Sequence, residues 1–160
     1  MSPQETVAAV VDPEIRVLTL EELGVLRSVA VGGDGRVTVT ITPTYSGCPA
    51  MDVIRSDIRS ALTSAGYLDV DVVTQLAPAW STDLISQSGR EKLSAAGIAP
   101  PRPAARPEGG AGPVPVALSV RCPRCGSPDT QRLSAFGSTA CKALWRCRTC
   151  REPFDEIKPL

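Results

Sequence analysis

The chain has 160 residues, 42% of them hydrophobic, and its 17 basic and 17 acidic side chains give a formal net charge of zero. This length suits one domain, or one domain with a small appendage. The sequence has no histidine, which excludes Ser-His-Asp triads, histidine-bound zinc and two-histidine iron sites. Six cysteines stand out among the reactive side chains that remain.

The N-terminus does not resemble a secretory signal, because Gln4 and Glu5 lie where a basic start and an apolar run are needed. The sequence also has no stretch close to the roughly 20 apolar residues of a membrane-spanning helix. We therefore expect a cytoplasmic protein without membrane association. Thiols stay reduced in that compartment, so paired cysteines there indicate metal binding rather than disulfides.

The first predicted element is a short N-terminal helix. Ser2 and Glu5 have the spacing of a capping box, and Pro3 occupies the first helical position, where proline is favoured. The helix should end at Asp12, because the following Pro13 disfavours a helical backbone at the residue before it.

A β-hairpin is predicted next. A turn at residues 19–22 leads into a strand over residues 25–31, and the glycine-rich segment 32–35 reverses the chain. In the second strand, over residues 36–42, valine or isoleucine alternates with threonine. This period of two is typical of a strand with one buried face.

An amphipathic helix should follow the hairpin, because apolar residues recur there at helical spacing: Met51, Ile54, Ile58, Ala61, Leu62 and Ala65. Gly66 is expected to end this helix. Residues 69–76 are then predicted as a third strand and residues 84–93 as a further helix. A strand, a crossover helix and a returning strand predict an α+β fold with a small mixed three-stranded sheet and packed helices.

Cys48 lies between the second predicted strand and this helix, with Pro49 as the expected first helical residue. Its sulfur would then lie at or beside the N-cap, where unpaired N–H groups and the helix dipole favour the thiolate. Gly47 permits close approach, and Thr44, Tyr45 and Ser46 provide nearby hydroxyls. The setting suits a nucleophilic or metal-binding sulfur, although free cysteine is also among the most frequently buried residues.

Two carboxylates flank Pro13 in a short acidic loop, Asp12 before it and Glu14 after it. Such a pair could bind a cation or orient a thiol. Carboxylates beside a proline are also common in solvated turns. Spacing alone leaves both interpretations open.

Composition and charge divide the chain into three segments. Nine of the 16 residues over 100–115 are proline or glycine, which favours an extended or coiled tether. Residues 1–99 carry a net charge of −5, whereas residues 116–160 carry +4. We predict a domain over 1–99, a flexible linker over 100–115 and a small ribbon domain over 116–160.

The most specific motif is a pair of Cys-x-x-Cys sequences, Cys122 with Cys125 and Cys147 with Cys150, separated by 21 residues. Two such knuckles can direct four sulfurs at one tetrahedral ion. The segment has few large apolar side chains, so a bound metal would stabilise it. Zinc is the usual ion of closed four-sulfur sites, and a single iron or an iron–sulfur cluster uses the same ligands.

Two features of this segment have alternative explanations. Cys141 is a fifth thiol that a tetrahedral ion does not need, and it could pack in the core, replace a ligand or pass a ligand to an incoming metal. The arginines around the knuckles could bind nucleic acid or offset the negative charge of four thiolates around a divalent ion. Because the segment has only three aromatic residues for base stacking, we favour charge compensation or a protein partner over nucleic acid. The arginines concerned are Arg121, Arg124, Arg132, Arg146, Arg148 and Arg151.

Several motifs, taken in order, resemble known families. Residues 12–15 and 42–49 are similar to the MIP18 (DUF59) domain of iron–sulfur assembly factors. A wider similarity, covering nearly the whole chain, is to the family of the phenylacetyl-CoA epoxidase D subunit. Besides the paired cysteines, it is carried by residues 77–83, 89–93, 97–101 and 136–141.

This resemblance implies a non-catalytic accessory protein of aerobic phenylacetate degradation that loads iron or an iron–sulfur cluster into the epoxidase reductase or oxygenase subunits. It implies that Cys48 holds the iron or cluster transiently, with Asp12, Glu14, Thr44 and Ser46 around it. A homodimer is left open. Two alternatives are a thiol-disulfide oxidoreductase acting through Cys48 and a zinc-ribbon module that binds nucleic acid or protein.

Overall fold

The computed structural model describes residues 1–102 and 119–159, and the chain divides into two compact units, Met1–Gly89 and Arg90–Leu160. Most of the linker predicted at 100–115 lies outside the described residues, so the domain bounds drawn from it stay a prediction. No helix within the described ranges is long and apolar enough to cross a membrane.

The first unit has the predicted α+β architecture. β1 and β2 form the antiparallel hairpin, and β3 pairs with β2 in parallel, which gives a mixed sheet of order β1-β2-β3. Its elements are α1 (Pro3–Ala8), α2 (Leu20–Leu23), β1 (Leu26–Val31), β2 (Val37–Ile41), α3 (Met51–Ser64) and β3 (Val70–Thr74). α4 (Gln87–Ala95) begins before the division between the units and ends after it.

Capping boxes begin both N-terminal helices. The predicted box at α1 is confirmed, and a second one, formed by Thr19 and Glu22, begins α2 where the sequence predicted only a turn. α1 ends at Ala8, earlier than predicted. The reason is that Val11 pairs with Thr19 in a β-bridge, which requires an extended backbone there.

The core of the first unit lies between α3 and the sheet. Alternate residues of β2 are fully buried, and the predicted apolar face of α3 is buried as well, at Met51, Ile54, Ile58 and Leu62. Gly66 follows the C-cap of α3 with φ +97°, as the predicted helix stop requires. The hydrophobic periods therefore identified the buried face of β2 and most of that of α3, in which Ala61 is half-buried and Ala65, beyond the last helical residue, is exposed.

The second unit contains a four-stranded sheet of order β4-β7-β6-β5. Its strands are β4 (Ile98–Ala99), β5 (Thr130–Ser134), β6 (Lys142–Cys147) and β7 (Pro153–Ile157). β4 pairs in parallel with β7, so residues 98–99 belong to this unit, although composition had grouped them with the first domain. Two residues before a proline pair carry no strand period, which is why the sequence did not predict β4.

The segment that follows β3 packs on the connection between α2 and β1. The buried Trp80 donates from Nε1 to the Leu23 carbonyl oxygen at 2.9 Å. Gly24 has φ +76°, and a Cβ at this position would lie 2.6 Å from Cβ of Leu84. These contacts fix the segment that carries Trp80.

Replacing Gly24 with alanine should destabilise the first unit by about 2–4 kcal/mol, because the methyl group adds overpacking to the strain of a left-handed backbone. Gly35→Ala is the matched control. Gly35 has φ +85° but open space around it, so strain alone, about 1–2 kcal/mol, is expected. Urea unfolding, monitored by hydrogen exchange of the β1 and β2 amides, measures the loss of stability in each variant. Equal losses in the two variants would contradict the close approach of Leu84.

Candidate functional site

Two consecutive turns that share Cys48 carry the chain from β2 to α3. In the first, the Cys48 N–H donates to the Tyr45 carbonyl at 3.3 Å, and Gly47 has φ +77°. A type II turn requires this left-handed conformation at its third residue. In the second turn, the Met51 N–H donates to the Cys48 carbonyl at 3.3 Å, with Pro49 at the position that its fixed φ favours.

The structure corrects the predicted start of α3. The N-cap is Ala50, which makes no side-chain capping hydrogen bond, so Cys48 lies two residues before the N-cap rather than at it. The physical reason is that Pro49 is used by the second turn and not by the first helical turn. The predicted N-cap position of the Cys48 sulfur is therefore wrong, and the sulfur lies outside the first turn of α3.

The Cys48 side chain is half-buried and lines a cleft of about 380 Å³. The cleft lies where the turns, the start of α3 and the end of β3 meet. Its other walls include Pro43, Pro49, Asp52, Arg55, Thr74 and Leu76. The thiol thus has access to a space that an external ligand can enter.

Sequence reasoning missed the polar residues of this cleft. Arg55 donates from one terminal nitrogen to Asp52 Oδ1 at 2.8 Å and from the other to Thr74 Oγ1 at 2.6 Å. The spacing of Asp52 and Arg55 on a predicted helix indicates a pair. The contact with Thr74 could not be seen in the sequence, because it depends on the parallel register of β2 and β3.

The hydroxyl side chains of Thr44 and Ser46 line a second, smaller cleft of about 90 Å³ together with Trp80. This cleft shares Pro43 and Leu76 with the Cys48 cleft. The structure therefore places the two predicted hydroxyls beside the Cys48 cleft rather than inside it.

The acidic loop has a structural task. Asp12 is buried, and its Oδ1 accepts hydrogen bonds from the backbone N–H groups of Glu14 at 2.9 Å and of Ile15. Neither Asp12 nor Glu14 is among the described residues that line the two clefts. Their predicted part in iron transfer thus rests on the resemblance alone.

The four paired cysteines come together as the motif predicts. Their sulfur atoms all lie within 4.8 Å of one another. The sulfurs of Cys122 and Cys150 are 3.7 Å apart, and those of Cys125 and Cys147 are 3.5 Å apart. Metal–sulfur bonds of about 2.3 Å place the corners of a tetrahedron about 3.8 Å apart. The four thiols of the second unit are therefore spaced to fit one tetrahedral ion.

The thiols of the ribbon differ in acidity. The backbone N–H of Cys150 donates to the Cys147 sulfur at 3.4 Å, and this hydrogen bond, with smaller contributions from the Cys125 sulfur and the Thr149 backbone, lowers the pKa of Cys147 to about 6. The N–H of Glu152 acts to lower the pKa of Cys150, but burial and the neighbouring sulfurs outweigh it and raise this pKa to about 12. One thiolate thus forms readily, and a cation is needed to offset the charge of the others.

Cys141 lies apart from this group. It is buried, and its sulfur is 3.0 Å from Oγ1 of Thr139. Cys141 precedes β6 whereas Cys147 ends it, so about 20 Å of extended strand separates the two residues. Packing in the core is the use of Cys141 that fits this position, and replacement of a ligand does not fit it.

Comparison with known proteins separates the chain into two matched regions. The model described as an iron–sulfur cluster assembly protein matches residues 4–74, and the model described as the PaaD zinc beta ribbon domain matches residues 110–158. A crystal structure of a DUF59 domain from Bacillus anthracis has a TM-score of 0.53 at 27% identity, covering 57% of this chain and 87% of that one. This likeness agrees with the α+β fold of the first unit.

Two relatives match over different lengths. A protein of Escherichia coli K12, provisionally named as the D subunit of 1,2-phenylacetyl-CoA epoxidase, is 50% identical over 147 residues, or 92% of this chain and 85% of the relative. An Fe-S protein maturation auxiliary factor of Porphyromonas gingivalis is 40% identical over 85 residues, or 52% of this chain and 80% of that protein. Similarity to the Escherichia coli protein therefore spans nearly all of both chains.

We expect the purified chain to hold one divalent ion at its paired cysteines. Cys125→Ser should reduce the metal content well below one ion per chain, because a closed site loses one of its four ligands. Cys141→Ser, the same chemical change outside the group, should retain the ion. Elemental analysis of both variants measures this, and equal metal content in the two would contradict the assignment.

Proposed function

We propose a function on the premise that this chain belongs to the family of the 1,2-phenylacetyl-CoA epoxidase D subunit, to whose Escherichia coli relative it is 50% identical. The chain is an accessory maturation factor of the phenylacetyl-CoA epoxidase system in aerobic phenylacetate degradation. It delivers iron or an iron–sulfur cluster to the reductase or oxygenase subunits. The observation that carries this proposal is the Cys48 thiol on the wall of an open cleft, within the region that matches iron–sulfur cluster assembly proteins.

In this proposal Cys48 holds the cargo through its thiolate. One cysteine supplies one ligand, so the other coordination positions of the iron are taken by external ligands. Delivery is then a ligand exchange: a client thiolate bonds to the iron as the bond to Cys48 breaks. The iron keeps its oxidation state, and the proton lost by the client thiol can return to the Cys48 sulfur.

A redox role for Cys48 receives less support. A thiol-disulfide oxidoreductase that acts through a pair of cysteines needs a second thiol near the first. The other five cysteines all belong to the second unit. Cys48 therefore has no partner thiol within its own unit, and we propose a non-catalytic role.

We further propose that the resident ion of the ribbon is zinc and that its task is structural. A closed set of four thiolates at tetrahedral spacing is typical of structural zinc. Two of the ligands, Cys122 and Cys147, are also members of the hydrophobic core of the second unit. An ion held there would supply folding free energy directly.

The ribbon is proposed to dock the client protein. The six arginines near the knuckles are all exposed, so they are available for an acidic protein surface as well as for offsetting the thiolate charge. We also propose a cytoplasmic location, because four cysteines arranged to share one ion need reduced thiols, which that compartment maintains.

Replacing Cys48 with alanine should lower the iron content of co-produced reductase and oxygenase subunits several-fold, because the cargo loses its ligand on this chain. The fold and the metal of the ribbon should be unchanged, since the side chain is not part of the core. Cys141→Ala, which removes a thiol far from the cleft along the sequence, should leave client iron normal.

Elemental analysis of the purified clients, with circular dichroism of each variant, measures these effects. Normal client iron in the presence of Cys48→Ala would contradict the proposal. Equal loss with both variants would show that the effect does not come from the Cys48 sulfur, and would contradict it as well.

A further inference from the structure

Arg55 is held in a fixed position on the wall of the Cys48 cleft. Its guanidinium donates to Asp52 on the same helix and to Thr74 at the end of β3, at 2.8 and 2.6 Å. The Arg55 side chain is 31% exposed, whereas that of Asp52 is 93% exposed. The guanidinium therefore faces the cleft from a site that is partly shielded from solvent, and the carboxylate beside it is well solvated.

The hydrogen-bonding capacity of Arg55 is only partly used. A guanidinium has five N–H donors in a rigid fork. The two contacts with Asp52 and Thr74 use two of these donors, and the other three have no partner among the described residues. A fixed cation with unused donors in a cleft is suited to bind an anion.

The proposed cargo has the matching charge. Iron bound by Cys48 needs further ligands, which in an iron–sulfur system are thiolates or sulfide. Four thiolates outnumber the two positive charges of a ferrous ion, so the complex carries net negative charge. The first unit does not supply general attraction for such an anion, because residues 1–89 carry 5 basic and 11 acidic side chains, a net charge of −6. A cation beside Cys48 would supply that attraction locally.

We infer that Arg55 is a positioning residue that holds the external anionic ligands, thiolate or sulfide, of iron bound to Cys48. This inference rests on the proposed function and deepens it. The unused N–H donors of Arg55 bind the sulfur ligands opposite Cys48, and its charge offsets theirs.

The test uses the full chain with zinc already bound in the ribbon, so that iron enters only the cleft. Ferrous iron and 2-mercaptoethanol, an external monothiol, are added without oxygen, with sulfide in a second arm that distinguishes the two ligands. The variants are Arg55→Gln, Arg55→Lys and Cys48→Ala. Arg59→Gln is the matched control, because Arg59 is an exposed arginine one turn further along α3 and is not among the residues that line the Cys48 cleft.

Release of iron to a chelator is followed by the loss of sulfur-to-iron charge-transfer absorption. Arg55→Gln should accelerate release about tenfold, the effect expected for losing hydrogen bonds to a charged group at a partly exposed site. Arg55→Lys keeps the positive charge, so its iron release should be slower than that of Arg55→Gln but faster than that of the wild type. Added salt should accelerate release from the wild type and from Arg59→Gln but have little effect on Arg55→Gln, because screening acts on the charge that this variant lacks.

The outcomes separate this inference from the proposed function. If Cys48→Ala holds as much iron as the wild type, the proposed function fails and the inference fails with it. If only Cys48→Ala fails to hold iron, and Arg55→Gln releases it at the same rate as Arg59→Gln, the inference alone is overturned. If Arg55→Gln and Arg55→Lys release iron equally fast, and both keep the salt dependence of the wild type, Arg55 only ties α3 to β3. That result would also overturn the inference.

Discussion

The parallel pairing of β2 with β3 determines where Cys48 can lie. Parallel strands need a crossover connection, which here contains α3. Only nine residues separate the end of β2 from the start of α3. Two turns that share Cys48 accomplish this change of direction. The register pairs Ile41 with Thr74, so β2 leaves the sheet beside the residue that holds Arg55. The thiol and the guanidinium thus share a cleft because of how the sheet is connected.

The two units use cysteine in opposite ways. In the first unit an apolar core of helix and sheet residues stabilises the fold, and Cys48 is left outside that core. In the second unit the core is small, and Cys122 and Cys147 belong both to it and to the four-thiol group. In the proposed function the ribbon sulfurs therefore hold a structural ion, whereas the half-buried Cys48 sulfur exchanges its ligand. This contrast supports delivery from Cys48 rather than from the ribbon.

The sequence predicted what depends on local period and spacing. Alternation in β2, the helical spacing in α3 and the two-residue spacing within each Cys-x-x-Cys motif are all local patterns, and the structure buries β2 and most of the α3 face and groups the four sulfurs as expected. The sequence did not predict β4, because its two residues acquire a strand conformation only by pairing with β7. Arg55 was missed for the same reason, because its partner Thr74 is 19 residues away along the chain. Asp12 was noticed, but only the backbone geometry of its loop shows that its carboxylate accepts from N–H groups.

Transfer in a purified system tests delivery from Cys48 most directly. The zinc-loaded chain is charged with ⁵⁷Fe, mixed with iron-free client subunit, separated from it and examined by Mössbauer spectroscopy. We expect sulfur-bound iron to be present on the chain before mixing, to be absent from Cys48→Ala and to appear on the client afterwards. Iron that is bound only in place of zinc at the four ribbon cysteines, or that never leaves the chain, would contradict delivery from Cys48.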